Sequence, residues 1–311
     1  MGSCEVASLE WYMYRSFIHK APFTLYTHFM KSVWRGRALA VASHLLIWVF
    51  VAFNYVQHAV WRSPPWSVGV FASSHLLLAL FALSWWQVTF SRAQGPPQAW
   101  YDSVNPMAEV CKRTGVSLPP RARLWDDELV LGFDHFCGWL GVPIGLHNRK
   151  YFVLLLLYGS LLTAVGGSLS LHDYLVKSSA TPLLPSAGGR GGGEDGHPSL
   201  MSSVMVFVSP ALFLYSLYSG AGQLRQLSLE VYTTLFDMAT CVVLFVFLVY
   251  HVRLVLRNGT TIDPIASRWD VGRRANWEQV FGHKAIWWLV PLRGSGPTVD
   301  GVNWPERLER I

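Results

Sequence analysis

Asp134, His135 and Cys137 place a carboxylate, an imidazole and a thiol within four residues of one another. These are the parts of an activated cysteine nucleophile. The acid orients the imidazole and stabilises its charge. The imidazole takes the thiol proton, which matters because a free thiol with a pKa of about 8.5 is only a few per cent thiolate at neutral pH. Taken alone, the triplet would equally suit a loop before a membrane helix that happens to contain a cysteine.

The surrounding residues favour the first reading. The segment Phe133–Phe152, FDHFCGWLGVPIGLHNRKYF, resembles the signature of the DHHC family of protein S-acyltransferases: Asp-His-His-Cys-Pro-Trp, then a glycine, an asparagine and paired aromatics. Asp134, His135, Cys137, Trp139, Gly145, Asn148, Tyr151 and Phe152 fall in register. A second block, Tyr250–Asp263, resembles the family's threonine-threonine-x-glutamate motif, with Asp263 where glutamate is usual. A third, Asp270–Leu292, resembles its C-terminal Asn-Trp-x-x-Val-Phe-Gly region. The three blocks occur in the family's order between about Cys111 and Leu292. The resemblance implies that Cys137 attacks an acyl-coenzyme A co-substrate and passes the acyl group to a substrate cysteine. His135 would then be the general base and Asp134 its orienter. Thr260 and Thr261 would pack against the catalytic turn, Asn276 would help fix the C-terminal region, and Asn148 supports the same site.

The sequence departs from the family at its metal ligands. The family's loop carries two zinc fingers, each with three cysteines and one histidine. Here Cys111 matches a first ligand, but Thr114 stands where the second belongs. Trp125, Asp126, Asp127 and Glu128 lie in a stretch with no cysteine or histidine, Phe136 replaces a histidine, and Pro143 replaces a cysteine. One thiolate without partners does not make a tetrahedral zinc site. The expectation is therefore no bound zinc and no other resident cofactor, with Trp125 and Phe136 packing where metals would sit. Two functions lead: a membrane protein S-acyltransferase, or a catalytically inactive DHHC-derived scaffold or accessory subunit of a membrane complex. A transporter is disfavoured because no charged or helix-breaking pairs repeat between halves. Some fungal relatives carry an aromatic at the position of Phe136, so that replacement alone does not exclude activity.

The elements that must position these residues are mostly apolar. The chain of 311 residues is 51% hydrophobic and 14% charged, with 15 tryptophans and 12 tyrosines, a composition suited to a membrane protein with two water–lipid boundaries. The expected architecture is an all-α integral membrane fold with four principal transmembrane helices. Residues 1–37 read as an N-terminal interfacial segment and 38–90 as a transmembrane hairpin turning at Pro64 and Pro65. Residues 91–150 form the catalytic-type loop, which is rich in arginine and so expected in the cytosol. Within 151–257, spans over about Tyr151–Leu175 and Val231–Leu256 flank a flexible loop, 177–199, and an extra apolar segment, 201–222. Pro210 interrupts that segment, so it is expected to be re-entrant or interfacial. Asp237 and His251 read as structural polar groups of the last span, and residues 258–311 carry the second and third blocks.

The net charge of +6 is spread along the flanks of apolar runs, which points to anionic headgroups and away from nucleic acid. Cys4, Cys111, Cys137 and Cys241 are too scattered for a disulfide framework. No cleavable signal is expected in the first 36 residues, and Val6 departs from the myristoylation pattern at Gly2. Asn258-Gly-Thr matches a glycosylation pattern but is expected on the cytosolic side. The expected partners are the bilayer, acyl-coenzyme A and substrate proteins, or other membrane subunits if the chain is a scaffold. The resemblance implies the endomembrane system, with a mitochondrial or other organellar membrane as the alternative.

Overall fold

The computed structural model describes residues 33–56, 68–91, 96, 100, 109–110, 117–125, 128–179, 222–264, 267–292 and 296–307. Among the described residues, the apolar runs form four long helices: α1 (Val33–Tyr55), α2 (Val68–Phe90), α3 (Arg149–Ser179) and α4 (Gly222–Leu256). Stretches Val68–Phe90, Arg149–Val176 and Glu230–Leu256 are long and apolar enough to cross a membrane, and Ala40–Tyr55 in α1 is a shorter apolar stretch. At 1.5 Å per residue, a 23-residue helix such as α2 reaches about 35 Å, enough for a hydrocarbon core of about 30 Å. The chain is a mostly helical integral membrane protein.

Helix ends differ from the apolar boundaries for a physical reason. The final helix begins at Gly222, well before the expected Val231, because Gln223, Leu224, Arg225 and Gln226 are good helix formers that hydropathy alone passes over. Its other end is set by Asn258, whose φ of 50° is left-handed. Gly259 N donates to Leu254 O at 2.8 Å and Asn258 N to Val255 O at 3.0 Å, the paired bonds of a Schellman stop. The polar threonine block therefore leaves the helix abruptly. Residues 1–32, most of 201–222 and most of 177–199 lie outside the described residues, as do Cys4, Cys111, Thr114, Asp126 and Asp127.

The loop between α2 and α3 amends the all-α expectation. Its described residues include three antiparallel two-stranded pairings: β1 (Glu109–Val110) with β2 (Ser117–Leu118), β3 (Arg123–Trp125) with β4 (Glu128–Val130), and β5 (His135–Cys137) with β6 (Val142–Ile144). Strands of two or three residues are too short to show the alternation that betrays a β-strand in sequence. After α4 come α5 (Arg273–Phe281) and short 3-10 turns at Ser267–Trp269 and Ala285–Trp287.

The chain divides into two compact units. One comprises residues 1–49, 78–158 and 246–311, and so contains all three sequence blocks. Part of its core is Ala122, Leu131 and Val302, with Trp100 and Leu129 packed on them. The other unit comprises 50–77 and 159–245. There Asp237 is fully buried, and Gly167 on α3 makes room for it: a Cβ at Gly167 would lie 3.2 Å from the Asp237 Cβ.

Close approach also explains Gly145 in the first unit. A Cβ there would meet Val130 Cγ1 at 2.6 Å and the Leu131 carbonyl oxygen at 2.8 Å. Gly145→Ala is expected to cost about 1–3 kcal/mol through overpacking, seen as a lower thermal midpoint in detergent. Gly138→Ala, with nothing within 4 Å of its Cβ, should leave the midpoint unchanged.

Candidate active site

Strand geometry accounts for the spacing of the nucleophile and its base. His135 and Cys137 are two residues apart on β5, and side chains on a strand alternate faces, so imidazole and thiol emerge on the same side. Phe136 points the other way, where Trp125 stacks on it with ring centroids 4.6 Å apart and planes 13° from parallel. Trp125 also stacks on Phe133 at 6.1 Å. The partner of Phe136 across the hairpin is Pro143. Positions 136 and 143, which correspond to zinc ligands of the resembled family, thus hold a phenyl ring and a pyrrolidine, and neither offers a donor. The residues present there do not fit a tetrahedral zinc.

Asp134 lies just before β5 and is completely buried. Its Oδ2 accepts from His135 Nδ1 at 2.8 Å. Oδ1 accepts from the backbone N–H of Thr261 at 2.8 Å, while the Thr261 hydroxyl donates to the Asp134 carbonyl at 2.8 Å. The Arg149 guanidinium, at the start of α3, lies 3.6 Å from Oδ1 and donates to the Gly259 carbonyl at 2.6 Å. His251, on the last turns of α4, brings Nδ1 to 3.6 Å from Oδ2 and its ring to 5.3 Å from that of His135. Four separate segments therefore converge on one carboxylate.

The electrostatics follow from those contacts. Burial opposes a charge on Asp134, but the Arg149 guanidinium and the hydrogen bond from His135 hold its carboxyl well below the usual carboxylate range. Burial likewise opposes a charge on His135. The hydrogen bonds and charges of Asp134 and Cys137 outweigh it and raise the imidazole to about 9. Asp134, His135 and His251 present atoms within 4.8 Å of one another that could ligate a metal. The adjacent Arg149 cation already neutralises the carboxylate, an arrangement that suits an acid orienting an imidazole better than one holding a cation.

The supporting residues occupy the seams of this unit. Asn148 accepts from Gly145 N at 2.8 Å and donates to Pro143 O at 2.9 Å, which fixes the exit of β6 into α3. Thr260 is buried, and its hydroxyl accepts from Asp263 N at 3.1 Å, closing the turn that presents Thr261. Asp263 itself is exposed. Asn276, fully buried on α5, donates to the last carbonyl of α4, Leu256 O, at 2.9 Å and to Asp270 Oδ1 at 2.6 Å. The Asn258 amide donates to Trp269 O and Gln279 Oε1, and its Oδ1 accepts from Arg121 at 2.9 Å.

Sequence reasoning did not single out Arg149 or His251 as members of the site. Arg149 was one of several basic loop residues, and His251 read as a structural group of the last span. The charge requirement of a buried carboxylate was the signal for Arg149, since an isolated buried charge is rarely tolerated without a partner. Asp134→Asn would leave Arg149 buried against a neutral amide. Its expected cost is about 3–5 kcal/mol, read as a large fall in the thermal midpoint, whereas an unchanged midpoint would show the pair to be dispensable for stability.

Comparison with known proteins agrees with this geometry. Residues 105–187 match the family model for the DHHC palmitoyltransferase. The chain is 26% identical to a probable protein S-acyltransferase 13 of Arabidopsis thaliana, over 88% of this chain and 93% of that one. It is 30% identical to the probable protein S-acyltransferase 12 of the same plant, over 58% of this chain and 51% of the relative. It is 24% identical to the human palmitoyltransferase ZDHHC20, over 75% of this chain and 65% of the relative. With the Asp134, His135 and Cys137 core, the threonine block and the C-terminal block all gathered in one unit, the chain belongs to the DHHC palmitoyltransferase family.

Proposed function

We propose that this protein is an active S-acyltransferase that moves a fatty acyl group from acyl-coenzyme A to protein cysteines through Cys137, without a resident zinc. The observation that carries the reading is the shared face of His135 and Cys137, with His135 bonded at 2.8 Å to the buried Asp134. His135 takes the Cys137 proton, and the sulfur attacks the thioester carbonyl carbon. The bond from that carbon to the coenzyme A sulfur breaks, and the departing thiolate takes the proton from His135. In the second half, the substrate cysteine gives its proton to His135 and attacks the acylated Cys137. The carbon–sulfur bond to Cys137 breaks, and the proton returns to the Cys137 thiol. Asp134 stays ionised throughout and stabilises the imidazolium in both halves.

A nucleophile at the membrane surface suits the substrate. Each CH2 of an acyl chain placed among apolar helices contributes about 0.8 kcal/mol, so the chain itself can hold the thioester near Cys137. We place α1 beside the three longer spans as a fourth, with the Cys137 loop and the C-terminal region on the cytosolic face and the endomembrane system as the site of action. The arginines of the loop and Arg253, Arg257, Arg268, Arg273 and Arg274 support that side. The loss of zinc ligands favours a second reading, an inactive scaffold in a membrane complex. The Trp125, Phe136 and Phe133 stack weighs against it by supplying an apolar brace behind the strand that carries the thiol.

Incubation of the purified protein with radiolabelled palmitoyl-coenzyme A should leave a hydroxylamine-sensitive label. Cys137→Ser should abolish it, and His135→Ala should slow its formation by at least about 100-fold. No label on wild-type protein would defeat the enzyme reading. The pH dependence has a definite sign. Because His135 rises from 6.5 to about 9 on folding, the pairing stabilises the fold fully below 6.5, and that contribution is lost as pH rises through about 9. The acylation rate should fall over the same upper range as the imidazolium loses the proton that coenzyme A needs. Asp134→Asn removes a charge that raises His135, so it should move this alkaline limb to lower pH; an unmoved limb would exclude Asp134 from the role.

A further inference from the structure

The Asp134 contacts hold the start of β5, and a separate set holds the other end of the hairpin. The turn Gly138–Gly141 joins β5 to β6, with Leu140 N and Gly141 N both donating to the Cys137 carbonyl, at 3.2 and 2.8 Å. The carbonyl of Leu140 faces α1, where His44 Nε2 lies 3.1 Å away. The other ring nitrogen of His44, Nδ1, is 3.1 Å from the Trp85 indole Nε1 on α2. An indole only donates, so Nδ1 is the acceptor and the imidazole proton sits on Nε2, aimed at Leu140 O. Trp48 packs edge-on against Trp85 with ring centroids 5.2 Å apart. One turn before His44 on the same helix face, Ala40 lies against Gly141, whose φ of 64° and lack of a Cβ permit a contact that any side chain would block. Ala40, His44 and Trp48 are spaced by four and so form one stripe along α1.

We propose that His44, fixed in its tautomer by Trp85, is a positioning residue for Cys137. The chain Trp85 to His44 to Leu140 ties the turn after the thiol to the first two apolar helices, as Asp134 ties the strand before it. The thiol is thereby held from both ends, and its position is set by α1 and α2 as well as by the loop. Without His44, the carbonyl of Leu140, a residue only 3% exposed, would lose its donor and the turn could lift away from α1. The proposal rests on the acyl-transfer reading only for its consequence for rate. The placement of Cys137 can be measured without any acyl transfer.

The experiment uses the full chain in lipid nanodiscs and four variants. His44→Leu fills the space without a donor, and Trp85→Phe removes only the indole donor. In His44→Gln the amide keeps both roles, accepting from Trp85 and donating to Leu140, and Cys137→Ser identifies the signal from that thiol. Two rates are read: alkylation of Cys137 by N-ethylmaleimide, and single-turnover acylation by palmitoyl-coenzyme A. His44→Leu and Trp85→Phe are expected to change the alkylation rate severalfold and to slow acylation by about 10- to 100-fold, the scale of a small misplacement of a reacting group. KM for palmitoyl-coenzyme A should hold within about twofold, the pattern of a lost transition-state alignment, and His44→Gln should restore both rates. If His44→Leu does not fold, Trp85→Phe carries the decision. Alkylation unchanged in the variants, or His44→Gln as defective as His44→Leu, overturns the proposal whatever the acylation rate does. If wild-type protein is not acylated at all, the enzyme reading falls, and the alkylation rates alone decide whether His44 positions Cys137.

Discussion

A carboxylate with no access to water must be neutralised and fully bonded, or it will not stay ionised. Asp134 meets that requirement by drawing on chain segments far apart in sequence: the imidazole beside it on β5, the guanidinium that opens α3, and the backbone N–H that follows α4. Each partner is fixed in turn. Arg149 is held by the Gly259 carbonyl, and Thr261 is presented by a turn that the Schellman stop at Asn258 starts. The charge balance of Asp134 and Arg149 therefore organises the unit as a metal would, by gathering groups from one strand, two helix ends and a turn around a single point.

Two different sets of interactions keep the hairpin that carries Cys137 in shape. On one face of β5, ionic and hydrogen bonds orient His135 towards Cys137. On the other, Trp125 stacks on Phe136 with ring centroids 4.6 Å apart. Aromatic burial of this kind braces a strand without any demand for a particular coordination number.

Much of the site was legible because its residues keep fixed spacing within short blocks. Asp134, His135 and Cys137 announce their chemistry by type and proximity, and Asn148, Thr260, Thr261 and Asn276 stand at matching positions of a resembled family. Their bonding could not be read from spacing. Asn276, for example, satisfies the end of α4, a carbonyl 20 residues away. Arg149 and His251 were hidden for the same reason, since nothing local says that a basic residue at the head of one helix and a histidine near the foot of another face the same carboxylate. The membrane helices were legible as apolar runs, but hydropathy measures what lies in lipid and misses the polar turns by which α4 continues to Gly222. The hairpins were invisible because two- and three-residue strands have no periodicity to detect.

The central claim is that the Asp134 network, and no metal, holds Cys137 in a working position. Its most direct test is the single-turnover rate of palmitoyl transfer to Cys137 in protein stripped with a zinc chelator and assayed for metal by mass spectrometry. The account predicts protein free of stoichiometric zinc that forms its acyl-enzyme as fast after stripping as before. A rate that collapses on chelation and returns on adding zinc would contradict it.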